Sequence, residues 1–217
     1  MSRPTVLVMA RAPRPGRCKT RLEPLLGPEG CAALQRGLIL HTLAFARAVG
    51  DVVLAYDPPD AREEMAALVG EAANLLVQAG DGLGERLAHA SGAVLAECSG
   101  PLLVVGTDTP RLGAFHARGA LEDLAEGCDA AVGPALDGGY YLIALARPLP
   151  ELFALPAPAW GGPEVLARTL ALAREAGLAV GMLRAERDLD TPADARAALA
   201  DPLYPAEIAA LLRPASA

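Results

Sequence analysis

Lysine is almost absent from this chain: Lys19 stands alone against 18 arginines. Aromatic residues make up 4% of the sequence and only three histidines occur, His41, His89 and His116, each in a separate helical stretch. No catalytic role is assigned to any of them. The four cysteines, Cys18, Cys31, Cys98 and Cys128, show no C-x-x-C spacing, which argues against a zinc site or a disulfide framework and for reduced thiols. No apolar run approaches the length of a membrane span, and the beginning of the chain lacks the apolar core of a signal peptide. A cytoplasmic protein is therefore expected. There is no G-x-S-x-G elbow, and Gly16-Arg-Cys-Lys19-Thr20 lacks the glycine that a Walker motif places before its lysine. A net charge of −7, with the basic residues outnumbered and mostly scattered, argues against a broad nucleic-acid surface, yet leaves room for a polyphosphate in one basic pocket.

What is present points to a single α/β domain spanning 1–217. Apolar strand-like runs at 5–9, 51–56, 74–78, 101–105, 130–132, 141–145 and 178–183 alternate with stretches of helical periodicity at 27–49, 60–69, 83–98, 110–125, 163–176 and from 192 onward. A short helix is expected at 206–212. This alternation predicts a mainly parallel sheet covered on both faces. The connection from 132 to 141 is too short for a helical crossover, so that pair is expected to be antiparallel and the sheet mixed.

Arg11, Arg14, Arg17, Lys19 and Arg21 crowd the stretch just past the first strand, at the edge where open α/β sheets bind ligands. In a chain that otherwise uses arginine, a retained lysine points to a compact charge for a phosphate. The tripeptide Asp-Thr-Pro occurs twice, at 108–110 and 190–192, each time after a strand and before a helix. Thr and Pro suit an N-cap and a first helical position. The acids Asp108 and Asp190 are left over, and two carboxylates suit Mg²⁺ or Mn²⁺ shared with phosphates. Between strand and helix, Gly80-Asp-Gly82-Leu-Gly84 departs from the dinucleotide fingerprint, but its amides suit a nucleotide pocket, with Glu85 and Arg86 as further contacts. At 133–140, Gly138 and Gly139 permit a close ligand approach, and Asp137 suits a hydroxyl partner or a base. An ordinary Asp-Gly turn explains the same residues equally well.

Taken together, 9–22, 82–86, 106–110, 133–141 and 188–192 resemble the DUF2064 group of glycosyltransferase-like proteins. That group is similar to 2-phospholactate guanylyltransferase and the molybdenum-cofactor guanylyltransferase. The resemblance implies the GT-A nucleotide-diphospho-sugar transferase fold, a three-layer α/β/α sandwich. It implies a nucleotide pocket at Arg11, Lys19 and Arg21, a metal at Asp108, and an acceptor side from Asp137 through Gly138, Gly139 and Tyr140 to Tyr141. Two departures stand out: Gly161-Gly162 follows Trp160 where Ser or Thr is usual, and a Pro- and Arg-rich loop replaces the usual glycine-rich opening.

The expected function is a metal-dependent transferase using an activated nucleotide donor, with Lys19, Asp108 and Asp137 as its catalytic residues. Its partners would be a nucleotide or nucleotide-sugar and a small-molecule acceptor. A nucleotide-sugar glycosyltransferase comes first. A nucleotidyltransferase joining an NTP to a phosphorylated acceptor comes second, and a non-catalytic nucleotide-binding module third.

Overall fold

The computed structural model describes residues 2–213. In chain order its strands and main helices are β1 (Thr5–Arg11), α1 (Glu23–Val49), β2 (Asp51–Asp57), α2 (Arg62–Val69), β3 (Asn74–Val77), α3 (Leu83–Glu97), β4 (Leu102–Val105), α4 (Ala114–Ala125), β5 (Ala130–Pro134), β6 (Tyr140–Leu145), α5 (Val165–Glu175), β7 (Val180–Met182), α6 (Pro192–Ala200) and α7 (Ala206–Leu211). The seven strands form one sheet in the order β3-β2-β1-β4-β6-β5-β7. All neighbours pair in parallel except β6, which is antiparallel to both β4 and β5, so the mixed sheet is as expected.

Alternate residues of the buried strands feed two cores. Val6 and Val8 pack with α1, α2 and α4, while Leu7 and Val104 face α3 and α5. Each such side chain is fully or nearly fully covered, worth about 1.5–3 kcal/mol on burial. A third cluster seats α6 and α7 against α1 through Leu34, Leu38, Ala195 and Ile208.

Helix boundaries moved where a local signal met a competing contact. α1 begins at Glu23, four residues before the expected start, and bends at Gly27, whose φ of 69° interrupts the helical backbone before Pro28. Asp60, the first residue of the stretch expected to be helical and of a type that favours the cap position, makes no capping bond; it pairs with Arg14 at 3.0 Å, and Ala61 precedes the helix. Asp108-Thr-Pro110 does not open a helix either. A turn closes from Leu112 N–H to the Thr109 carbonyl, and α4 begins after Gly113, with His116 Nδ1 accepting from the Gly113 N–H at 3.1 Å. The second copy behaves as expected: Thr191 caps α6 and forms a reciprocal box with Asp194.

The order of crossovers fixes where a ligand can sit. From β1 the chain passes to β2 and β3 on one side, then returns through α3 to β4 on the other. The sheet therefore changes direction between β1 and β4, and the loops after their carboxyl ends face one crevice.

Candidate functional site

The loop after β1 is held from beneath. Arg14 is bound by Glu64 at 2.8 Å and by Asp60, so it anchors the loop to α2. The Cys18 thiol donates to the Arg14 carbonyl at 3.4 Å, and the Cys31 thiol to the Lys19 carbonyl at 3.3 Å. Both thiols are free and buried, and burial pushes Cys18 up to about 11. Among the described residues, Lys19 is the only non-glycine with positive φ, at 51°. This left-handed conformation costs about 1–2 kcal/mol and marks a position under functional or packing constraint.

That conformation sends the Lys19 side chain inward until only 4% of it is exposed. Its ammonium lies 2.9 Å from Asp108 Oδ1, 3.9 Å from Asp190 Oδ1 and 2.6 Å from the Leu189 carbonyl, to which it donates. The Leu189 N–H in turn donates to the Asp108 carbonyl at 2.7 Å, fastening the segment before α6 to the end of β4. Arg21, largely exposed, reaches Asp190 at 2.6 Å. A buried ammonium needs such compensation to keep its charge. Lys19, Arg21, Asp108 and Asp190 thus meet at the switch point. The two carboxylates already share one cation.

Two hollows lie at the same edge of the sheet, and none of these four residues lines either. One, of about 390 Å³, is lined by Met9, Arg11, Asp57, Gln78, Gly82 and Arg86, among others. Asp57 lies between Arg11 at 3.7 Å and Arg86 at 3.1 Å, and Arg86 also donates to the Gly80 carbonyl at 3.0 Å. The second, of about 220 Å³, contains Asp137, Gly139, Tyr140, Trp160 and Asp188. Met9 and Leu83 border both, so the hollows are neighbours. A larger cleft of about 570 Å³ lies over the amino ends of β1 and β2, and no expected site residue lines it.

Individual residues take different places. Gly84 lies in the interior: a Cβ there would come within 2.4 Å of the Phe153 carbonyl and 2.6 Å of Trp160 Nε1. Its observed place is packing beneath Trp160, away from the cleft that Gly82 lines. Gly138, with φ of 94°, lies against Pro163, where a Cβ would meet the Pro163 carbonyl at 2.0 Å. Asp137 Oδ1 accepts the Gly139 N–H at 2.9 Å, closing the turn into β6. Tyr141 is buried beneath Gly133 and donates to the Arg184 carbonyl at 2.9 Å.

Asp188 is the functional candidate that sequence reading passed over. It is largely buried in the second hollow and accepts a hydrogen bond from the Thr109 hydroxyl. Burial pushes its carboxyl up to about 6; Asp108 and Asp137 add to the rise, while Thr109 and Lys19 oppose it. The pattern acid-apolar-acid at 188–190 was the available signal. In an extended segment it puts both acids on one side, with Leu189 buried on the other.

Among the described residues, no group of three or more His, Cys, Asp or Glu side chains is arranged to hold a metal ion, and no helix is long and apolar enough to cross a membrane. Asp108 and Asp190 are hard oxygen donors converging on one cationic position, and one or two carboxylates are what a phosphate-bound Mg²⁺ or Mn²⁺ ordinarily takes from a protein. The donor set therefore fits such an ion.

Comparison with known proteins bears on the fold and the family. A crystal structure from Desulfovibrio desulfuricans, provisionally described as a nucleotide-diphospho-sugar transferase, is 34% identical, with a TM-score of 0.80 over 88% of this chain and 84% of its own. A CMP:2-keto-3-deoxy-manno-octonic acid synthetase complexed with CTP shares the fold at 15% identity, with a TM-score of 0.56 over 88% of this chain and 95% of its own. A manganese complex of Rv0371C from Mycobacterium tuberculosis shares it at 17% identity, with a TM-score of 0.52 over 90% of this chain and 97% of its own. None of the curated proteins matches in sequence. The architecture is thus that of the nucleotide-diphospho-sugar transferase-like folds. The family profile described as "Uncharacterized protein conserved in bacteria (DUF2064)" matches residues 40–160, more than half of the sequence, and the chain belongs to that family.

Proposed function

We propose that this chain is a metal-dependent transferase that uses an activated nucleotide donor, of the nucleotide-sugar glycosyltransferase type. The observation that carries the reading is the meeting of Lys19, Asp108 and Asp190 at the β1–β4 switch point, beside a cleft bordered by Arg11, Gly82 and Arg86. Asp108 and Asp190 would hold Mg²⁺ or Mn²⁺, and the manganese in the mycobacterial structure of like fold supports this choice. Such an ion, when bound, supplies charge neutralisation across the donor's diphosphate. Lys19 and Arg21 neutralise charge that develops on the leaving phosphates, and Arg11 and Arg86 border the nucleotide. The acceptor lies toward Asp137, Gly138, Gly139 and Tyr140. Its oxygen forms a bond to the anomeric carbon as the carbon–oxygen bond to the diphosphate breaks. Asp137 takes the acceptor's proton, and the nucleoside diphosphate leaves.

A second reading is favoured by the density of cations after β1, which suits a triphosphate, and by the CTP bound in the synthetase of like fold. An acceptor phosphate would then attack the α-phosphorus, and pyrophosphate would leave. A screen of nucleotides and nucleotide-sugars with Mn²⁺, followed by product assay, decides between the two: nucleoside diphosphate supports the first and pyrophosphate the second. Binding without product under every acceptor would indicate a non-catalytic module. Lys19→Ala is expected to weaken nucleotide binding at least about ten-fold, the worth of one charge-assisted contact. In the absence of nucleotide the same change should tighten Mn²⁺ binding, because the ammonium competes for both carboxylates. Asp108→Asn should remove the metal dependence. A Lys19→Ala protein that binds every nucleotide like the wild type would refute this placement of the phosphates.

A further inference from the structure

The two hollows differ in charge, and the difference bears on what the second one accepts. Around the 390 Å³ cleft stand two cations, Arg11 and Arg86, with two acids, Asp57 and Asp81. Around the 220 Å³ cavity no Lys, Arg or His appears among the lining residues, and its only charged members are Asp137 and Asp188. The rest of its wall is mostly apolar: Met9, Leu87, Val104, Ile143 and Val165, with the rings of Tyr140 and Trp160. Lys19, whose charge acts on Asp188, lies outside the lining and is already engaged with Asp108. Resting on the transferase reading, which makes this cavity the acceptor side, we infer that the acceptor is a hydroxyl-bearing molecule with an apolar body and no anionic group.

Each half of that description has a physical cause. An apolar wall rewards an apolar ligand body by removing its surface from water, and a few polar groups then fix its orientation. Asp137 and Asp188 each hydrogen-bond within the described protein through Oδ1 alone, to the Gly139 N–H and the Thr109 hydroxyl. Both are acceptors when ionised, so they suit the O–H of a ligand. A phosphate or carboxylate in the same place would meet two like charges and find no cation among the lining side chains. A phosphorylated acceptor is thereby disfavoured here.

Trp160 lines the cavity and is the sole tryptophan of the chain, so its fluorescence reports occupancy directly. The full-length protein would be titrated at pH 8 with 2-phenylethanol, phenyl phosphate and phenylacetate, which share an aromatic body and differ in polar group. Saturable change with 2-phenylethanol, and binding at least about ten-fold weaker for the two anions, is the expected result. In an Asp137→Asn/Asp188→Asn protein that gap should shrink. Since Asp188 is half-buried and bound by Thr109, the single Asp137→Asn variant, altering an exposed side chain, gives the same comparison should the double variant misfold. Anions that bind wild-type protein as tightly as 2-phenylethanol, or a cavity that responds to none of the three, would overturn the inference. Calorimetry with Mn²⁺ and nucleotides runs beside it. Nucleotide binding with an anion-preferring cavity sinks this inference alone. A hydroxyl-preferring cavity without nucleotide binding sinks the transferase reading and leaves the cavity's chemistry standing.

Discussion

Asp188 and Lys19 both lie beside Asp108, with opposite consequences. Lys19 gains, since its ammonium is wrapped by oxygen atoms of Asp108, Asp190 and Leu189. Asp188 suffers: burial first, then the charges of Asp108 and Asp137, push it from the usual 3.8 to about 6. In that window the folded protein holds a proton that the unfolded chain has released. Its contribution to stability is complete below about pH 4 and is lost as pH rises through about 6. A rise of that size corresponds to about 3 kcal/mol at most. Urea unfolding from pH 4.5 to 7.5 should therefore show the wild type losing stability relative to Asp188→Asn, and parallel pH profiles would contradict it. Lys19 could be singled out from composition alone, because one lysine among arginines is conspicuous. Its left-handed backbone and buried ammonium could not, because both depend on the floor built by α1 and on the segment at 188–190.

At the scale of elements, the repeated Asp-Thr-Pro shows how far a local motif carries. After Thr191 the residue three positions on is Asp194, whose carboxylate accepts the Thr191 N–H at 2.9 Å and completes a capping box. After Thr109 the same spacing brings Leu112, which offers no acceptor, so the chain turns once more before α4 and the hydroxyl goes to Asp188 instead. Thr191→Ala is expected to cost about 1 kcal/mol in urea unfolding at any pH between 5 and 8. Thr109→Ala should cost more as pH rises, because its hydroxyl favours the ionised form of Asp188. Equal, pH-independent losses for both would mean that Thr109 acts only as a turn residue. Gly84 teaches the complementary lesson. It belongs to a glycine-rich turn in the sequence, yet the close seat of Trp160 and Phe153 is what requires a glycine there.

At the scale of the whole molecule, a chain of net charge −7 gathers Arg11, Lys19, Arg21 and Arg86 at one rim of its sheet. Each is paired with an acid there, Arg11 and Arg86 with Asp57, Lys19 with Asp108 and Arg21 with Asp190, so the phosphates of a nucleotide compete for these cations, and added salt screens the attraction. Stopped-flow association of a nucleoside triphosphate, followed by Trp160 fluorescence, should slow several-fold between about 50 mM and about 500 mM salt, with a smaller effect for the monophosphate. No salt dependence would place the nucleotide away from this rim.

The amino-acid sequence by itself determined the alternation of strands and helices, the mixed sheet, and the clustering of cations after the first strand and acids after later ones. Those features are written in periodicity, turn residues and charge within a few positions along the chain. Only the tertiary structure decided that β1 and β4 are neighbours, and so that Lys19 lies between Asp108 and Asp190. It alone placed Asp188 in a cavity without cations and turned Gly84 inward. Adjacency of this kind arises from the direction of the crossovers and from the packing of remote segments, which no short window of sequence contains.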